Sequence, residues 1–173
     1  IFGVGPGLGA AVARRCARGG MRVGIAARDV TRLEDQLPDL RAKGAPDAPV
    51  TLLEYASVAC GGCATWHAMA MPTVQEYIDS GDVRYVFREM ITGQPQLAIA
   101  GFMLARCAPE ERYFDVIDVL FEQQRAIFTA MQQGEAQTQF QQIARTVGFS
   151  DEEYRQCMTN EDVLAQVRAA NEA

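Results

Sequence analysis

Residues 50–67 read VTLLEYASVACGGCATWH, and the fold follows from how this stretch divides. Its first part, residues 50–57, is an apolar run broken by one acid, Glu54, which is the pattern of a buried strand. It runs directly into Cys60-Gly61-Gly62-Cys63. Residues 64–80 carry Trp66, Ala70, Val74, Tyr77 and Ile78 at helical spacing, with Pro72 predicting a kink and Gly81 a stop. Residues 83–90 (VRYVFREM) alternate Val83, Tyr85 and Phe87 against Arg84 and Arg88, which predicts a second strand. Strand, motif, helix and strand make a βαβ unit, whose crossover is right-handed as a rule.

The placement of the motif gives it chemistry. A cysteine at a helix N-terminus faces unpaired N–H groups and the positive end of the helix dipole. Both favour the thiolate, which is the nucleophile. A second cysteine three residues on lies one turn deeper and can resolve a mixed disulfide formed by the first. Zinc would need two further ligands, and His67 is the sole histidine. An inert pair of buried thiols is the other alternative, and His67 itself reads as a helix-surface or core residue. No metal site is expected.

The chain has 173 residues, 49 % of them hydrophobic, which suits one domain, or one domain and a fragment. With 16 basic and 22 acidic residues the net charge is −6, and no clustered basic face suggests nucleic acid. No apolar run is long enough for a membrane helix, so membrane insertion is not expected. Five cysteines are present, Cys16, Cys60, Cys63, Cys107 and Cys157, so one at least stays unpaired within the chain. The sequence starts without Met or a signal-peptide pattern, and its true N-terminus is expected to lie upstream.

The first 40 residues have their own character. Gly3, Gly5, Gly7 and Gly9 crowd a short loop, residues 10–18 read as a small-residue helix, and residues 21–27 (MRVGIAA) read as a strand followed by Arg28. Such a loop lets the backbone approach a pyrophosphate at a helix N-terminus. The segment GVGPGLGAAVARRCARGGMRVGIAARD resembles the start of the short-chain dehydrogenases. That resemblance implies that Arg28 would meet the 2′-phosphate of NADP. The family's Tyr-x-x-x-Lys cannot be present, because Lys43 is the only lysine and Asp39 stands four residues before it. An incomplete, inactive remnant is therefore expected, and NADP is not expected as a cofactor. Residues 41–49, polar and proline-bearing, read as a linker or junction.

From about residue 44 onward the chain resembles DsbA-like thiol–disulfide oxidoreductases. The resemblance rests on DAPVTLLEYASVACGGCATWH, YIDSGDVRYVFRE and FMLARCAPEERYFDVIDVLFEQQ. It implies an α/β, thioredoxin-like fold with an inserted helical domain. In this chain the fold would occupy residues 50–173, with the insert at about 94–173, preceded by a partial Rossmann βαβ fragment at 1–40. It implies Cys60 as nucleophile, Cys63 as resolving cysteine and Glu54 as a buried acid that tunes the pair. Cysteine-containing protein substrates, a recycling redox partner and a periplasmic location follow from the same likeness. No cofactor is implied beyond the redox-active Cys60–Cys63 disulfide itself. Helices are expected at 95–108, 109–131, 136–147, 151–158 and 160–170, with Ser150/Glu153 and Thr159/Asp162 as capping boxes. Some family members staple the insert with a cysteine pair, so Cys107 and Cys157 are either such a staple or two free thiols. No proline follows Pro109, so the family's cis-proline strand is expected to be missing and the fold C-terminally truncated. The alternative function is an inactive fusion or fragment that retains a remnant NADP-binding loop.

Overall fold

The computed structural model describes residues 41–172 and, before them, two short strands, β1 (Phe2–Gly3) and β2 (Gly24–Ala27). Gly5, Gly7, Gly9, Cys16, Arg28 and the expected helix at 10–18 lie outside the described residues. The chain divides into two compact units, Ile1–Ala56 with Trp66–Met90, and Ser57–Thr65 with Ile91–Glu172.

The first unit is built on the expected βαβ. Strand β4 (Val50–Ala56) leads through helix α1 (Gly61–Asp79) to β5 (Val83–Glu89), and β4 and β5 are parallel neighbours, as a crossover requires. Pro72 lies inside α1 without ending it. The full sheet has five strands in the order β1-β2-β4-β5-β3, where β3 is Arg41–Lys43. One expectation is corrected here. Residues 41–49 do not begin as a linker, because β3 pairs antiparallel with β5, Arg41 opposite Phe87 and Lys43 opposite Tyr85. Without it β5 would present an unpaired edge. Gly44 then turns the chain at φ +100°, and a Cβ there would sit 2.6 Å from the Val83 carbonyl oxygen. Strand β2 pairs antiparallel with β4, and β1 runs parallel to β2.

The alternation read in β5 does not become a wet face and a dry one. Tyr85, Val86, Phe87, Arg88 and Glu89 are all buried, Arg88 at 2 % exposure. Strands of a parallel sheet commonly bury successive residues irrespective of parity.

The second unit is helical and centred on α2 (Pro95–Cys107). Leu97, Ala98, Gly101, Phe102, Met103, Leu104 and Ala105 are buried, so most of its surface faces the interior of the unit. Around it pack α3 (Tyr113–Glu122), α5 (Ala136–Thr146), α6 (Asp151–Met158) and α7 (Glu161–Glu172), with α4 (Gln124–Gln132) between α3 and α5. At Gly101 a Cβ would come within 2.7 Å of Val58 Cγ2, so glycine permits that approach. The single helix expected over 109–131 is instead a 3₁₀ turn (Glu110–Arg112), α3 and α4, with the break at Gln123. The Ser150/Glu153 capping box forms with both reciprocal hydrogen bonds. The Thr159/Asp162 box does not. Asn160 caps α7 instead, its Oδ1 accepting from the Asp162 and Val163 N–H groups at 3.1 Å. Asn is as strong a cap as Ser, and Thr159 Oγ1 turns back to donate to the Arg155 carbonyl. Among the described residues no helix is long and apolar enough to cross a membrane.

Cys107, at the end of α2, and Cys157, on α6, are joined in a disulfide with Cα atoms 6.0 Å apart. Of the two readings left open, the staple is the one observed. The bond closes a loop with a sequence separation of 50. On the chain-entropy model such a loop is worth about 4 kcal/mol. Replacing both cysteines by serine should therefore lower the urea-derived unfolding free energy by about that amount. A loss below about 1 kcal/mol would contradict the assigned role.

Candidate active site

The turn between β4 and α1 carries the motif, and its backbone groups can be followed one by one. The Cys60 N–H donates to the Ser57 carbonyl at 3.0 Å. Ser57 Oγ accepts from the Ala59 N–H and donates to the Thr92 carbonyl, both at 3.2 Å. The Val58 carbonyl accepts from Gln124 Nε2 at 2.7 Å. The Ala59 carbonyl lies against Gly93, where a Cβ would sit only 2.4 Å from that oxygen and where φ is +76°. The Cys60 carbonyl accepts from Cys63 and Ala64 N–H at 3.0 and 3.1 Å, and from Gln124 Nε2 at 3.1 Å. Hydrogen bonding or close packing thus fixes the turn on every side, as buried backbone requires.

Cys60 is consequently the N-cap residue of α1. Its carbonyl takes the first helical bonds, and its Sγ lies 3.4 Å from the Cys63 N–H, where a Ser or Asp cap would place its oxygen. Sulfur in that position shares one of the helix's first N–H groups with the Cys60 carbonyl. Cys60 is partly exposed, Cys63 only 4 % exposed, and both carry free thiols. Gly61 is not held to glycine by crowding: a Cβ would find its nearest neighbour, Gln124 Oε1, at 3.8 Å. A side chain would fit at this position.

Glu54 is positioned by strand parity. In the parallel β4–β5 register Glu54 stands opposite Phe87, and Tyr85 stands opposite Leu52. Residues two apart on one strand share a face, so Tyr85 and Glu54 are diagonal neighbours within reach of long side chains. The Tyr85 hydroxyl donates to Glu54 Oε2 at 2.5 Å. Lys43, opposite Tyr85 in the β3–β5 register, places its Nζ 5.8 Å from the centre of the Tyr85 ring. Burial raises the Glu54 carboxyl to about 7, against smaller downward pulls from the Tyr85 hydrogen bond and from His67. His67 is buried on α1, so the core reading of it holds and the surface reading does not. Glu54, Tyr85 and His67 belong to the first unit, the two thiols to the second.

Of the residues singled out in the sequence, the structure joins Cys107 to Cys157 and places Cys60 beside Cys63 at one helix start. Gly3 falls in β1. Two residues escaped the sequence reading. Tyr85 reads from the sequence only as a strand residue, because its pairing with Glu54 depends on the register of β4 and β5. Gln124 lay inside what read as one unbroken helix, and nothing local distinguished it. Among the described residues no group of three His, Cys, Asp or Glu side chains could hold a metal ion.

A family model described as thioredoxin matches residues 37–173. The chain is 30 % identical over 130 residues to a Rickettsia bellii protein named "Putative protein-disulfide oxidoreductase", covering 74 % of this chain and 48 % of that one. It is 33 % identical over 90 residues to disulfide bond formation protein D of Bacillus subtilis, covering 47 % of this chain and 38 % of that one. The chain thus spans less than half the length of these curated relatives. The crystal structure of alpha-DsbA1 from Wolbachia pipientis superposes with a TM-score of 0.67 at 25 % identity, covering 79 % of this chain and 67 % of that one. The α/β, thioredoxin-like fold with a helical insertion is therefore the fold of this chain. The short-chain dehydrogenase likeness has no counterpart in these matches.

The raised Glu54 carboxyl has a consequence for stability. Its folded value, about 7, exceeds the ordinary 4.5, so its contribution is full below pH 4.5 and is lost as pH rises through 7. The shift corresponds to an upper bound of about 3 kcal/mol. Glu54→Gln should keep the Tyr85 hydrogen bond and flatten this part of the profile. Urea unfolding at pH 5 and pH 8 checks it: the stability difference between variant and wild type should move in the variant's favour by up to that amount at the higher pH.

Proposed function

Because the chain belongs to the thioredoxin family, we propose that it is a DsbA-like thiol–disulfide oxidoreductase acting on cysteine-containing proteins through Cys60 and Cys63. The observation that carries this reading is the helix cap: a partly exposed sulfur on a helix-start N–H, with a second, buried thiol one turn further in.

In the oxidising direction the Cys60–Cys63 disulfide is attacked at Cys60 Sγ by a substrate thiolate. A mixed disulfide forms, the Cys60–Cys63 bond breaks, and Cys63 leaves as a thiolate that takes up a proton. A second substrate thiolate then attacks the substrate sulfur of the mixed disulfide. The substrate gains a disulfide and the motif is left as two thiols, having received two electrons. A thiol-oxidising partner must remove those electrons before the next turnover. The reverse sequence begins with Cys60 as nucleophile and Cys63 as resolving thiol.

Glu54 suits proton handling for this chemistry, since a carboxyl near 7 both gives and accepts a proton at neutral pH. Gly61-Gly62 adds no donor over the thiols, so the motif should be a weaker oxidant than one with a histidine in the dipeptide. An oxidising compartment such as the periplasm is favoured by the Cys107–Cys157 disulfide, a bond rarely kept in a reducing cytosol. A second reading, a remnant nucleotide-binding loop at Gly3 to Gly9, draws support from the parallel pairing of β1 and β2. Calorimetric titration with NADP tests it, and the incomplete dinucleotide unit predicts no binding.

Replacing the resolving thiol isolates the first step. With a disulfide-bonded peptide, Cys63→Ser should accumulate a mixed disulfide mapped by mass spectrometry to Cys60. Cys60→Ser should accumulate none. Exchange activity surviving in Cys60→Ser would overturn the assignment.

A further inference from the structure

We propose that Gln124 is a positioning residue for the Cys60–Cys63 pair, an inference that rests on the function proposed above. Gln124 opens α4 in the helical insert and is only 7 % exposed despite its polar side chain. Both hydrogens of its amide are used on the motif turn, one on the Val58 carbonyl at 2.7 Å and one on the Cys60 carbonyl at 3.1 Å. The break at Gln123 gives this arrangement its reason. There the backbone leaves helical geometry at φ −91°, ψ 6°, and the residue that follows begins a new helix. One continuous helix, as the sequence suggested, would not separate Gln124 in this way from the register of α3.

The tether acts through the cap. The Cys60 carbonyl is shared between Gln124 and the first N–H groups of α1, and the Cys60 side chain departs from the same residue. Holding the carbonyls of residues 58 and 60 fixes the backbone rotation that aims Cys60 Sγ at the Cys63 N–H. That contact serves the dithiol form, in which the sulfur is free to accept. Loosening the tether therefore weakens the reduced form relative to the disulfide and makes the motif less oxidising. Replacing the amide by an apolar group also takes this donor from the buried Val58 carbonyl, while the Cys60 carbonyl keeps its bonds from the Cys63 and Ala64 N–H groups.

The experiment is redox equilibration of the full chain with glutathione, following Cys60–Cys63 by mass spectrometry in wild type, Gln124→Leu and Gln124→Glu. Gln124→Leu should shift the equilibrium constant toward the disulfide by about tenfold, the scale of one lost buried hydrogen bond. Gln124→Glu offers no hydrogen when ionised and one when protonated. Its shift relative to wild type should match that of Gln124→Leu at pH 8 and shrink as the pH falls. A role confined to folding would not move an equilibrium between two folded states in this pH-dependent way. Circular dichroism and an intact Cys107–Cys157 bond verify folding, and if Gln124→Leu does not fold, Gln124→Glu at two pH values decides. Folded variants with the wild-type constant at every pH would overturn the positioning role alone. A wild-type motif that does not interconvert with glutathione would overturn the proposed function, and the positioning role with it.

Discussion

A helix must find partners for its first N–H groups, and in this chain one of them is met by a sulfur atom. The rest of the site can be understood from that constraint. To serve as a cap, Cys60 must stand just outside the helical backbone with its carbonyl turned in and its side chain turned back toward Cys63. The turn that delivers it cannot be loose. Ser57 and Gln124 bond its backbone groups and Gly93 packs against the Ala59 carbonyl, each from a different part of the sequence. Cys63, at the third helical position, is carried inward by the same geometry, which gives the two thiols unequal exposure. An exposed attacking sulfur and a protected resolving one are what stepwise disulfide exchange needs.

A second constraint concerns the carboxyl in the sheet. A charge on Glu54 would be poorly solvated between neighbouring strands, and the Tyr85 hydrogen bond recovers only part of that cost. The group is left with its proton half-bound near neutral pH. Strand parity alone made this pairing possible, since a slip of one residue between β4 and β5 would turn Tyr85 to the opposite face. The flanking strands help to hold that register: β3 pairs with β5 over Tyr85–Phe87, and β2 with β4 over Thr51–Glu54.

Local chemistry explains how far the sequence could be read. The strand at 50–56, the motif, the following helix and the strand at 83–89 each carry strong local signals: apolar runs, helical spacing, a terminal glycine. The Ser150/Glu153 cap was equally local and formed as expected. What could not be read depended on partners distant in sequence. Arg41–Lys43 is polar and beside prolines, and only the unpaired edge of β5 makes it a strand. The break at Gln123 has no glycine or proline to announce it and correlates with a side chain that bonds a turn 64 and 66 residues away. Thr159 and Asn160 stand side by side as possible caps, and the choice between them rests on one residue of helix length. The disulfide between Cys107 and Cys157 joins two helices whose meeting no spacing rule foretells.

The central claim is that the cap makes Cys60 the reacting thiol. Alkylation kinetics resolved for each cysteine of the folded chain, with the motif reduced, test it most directly. The account predicts that Cys60 is labelled first, that Cys63 lags far behind because it is buried, and that Cys107 and Cys157 stay unlabelled until the chain is unfolded and reduced. Labelling of Cys63 ahead of Cys60, or a Cys60 no faster than a cysteine in an unstructured peptide, would contradict it.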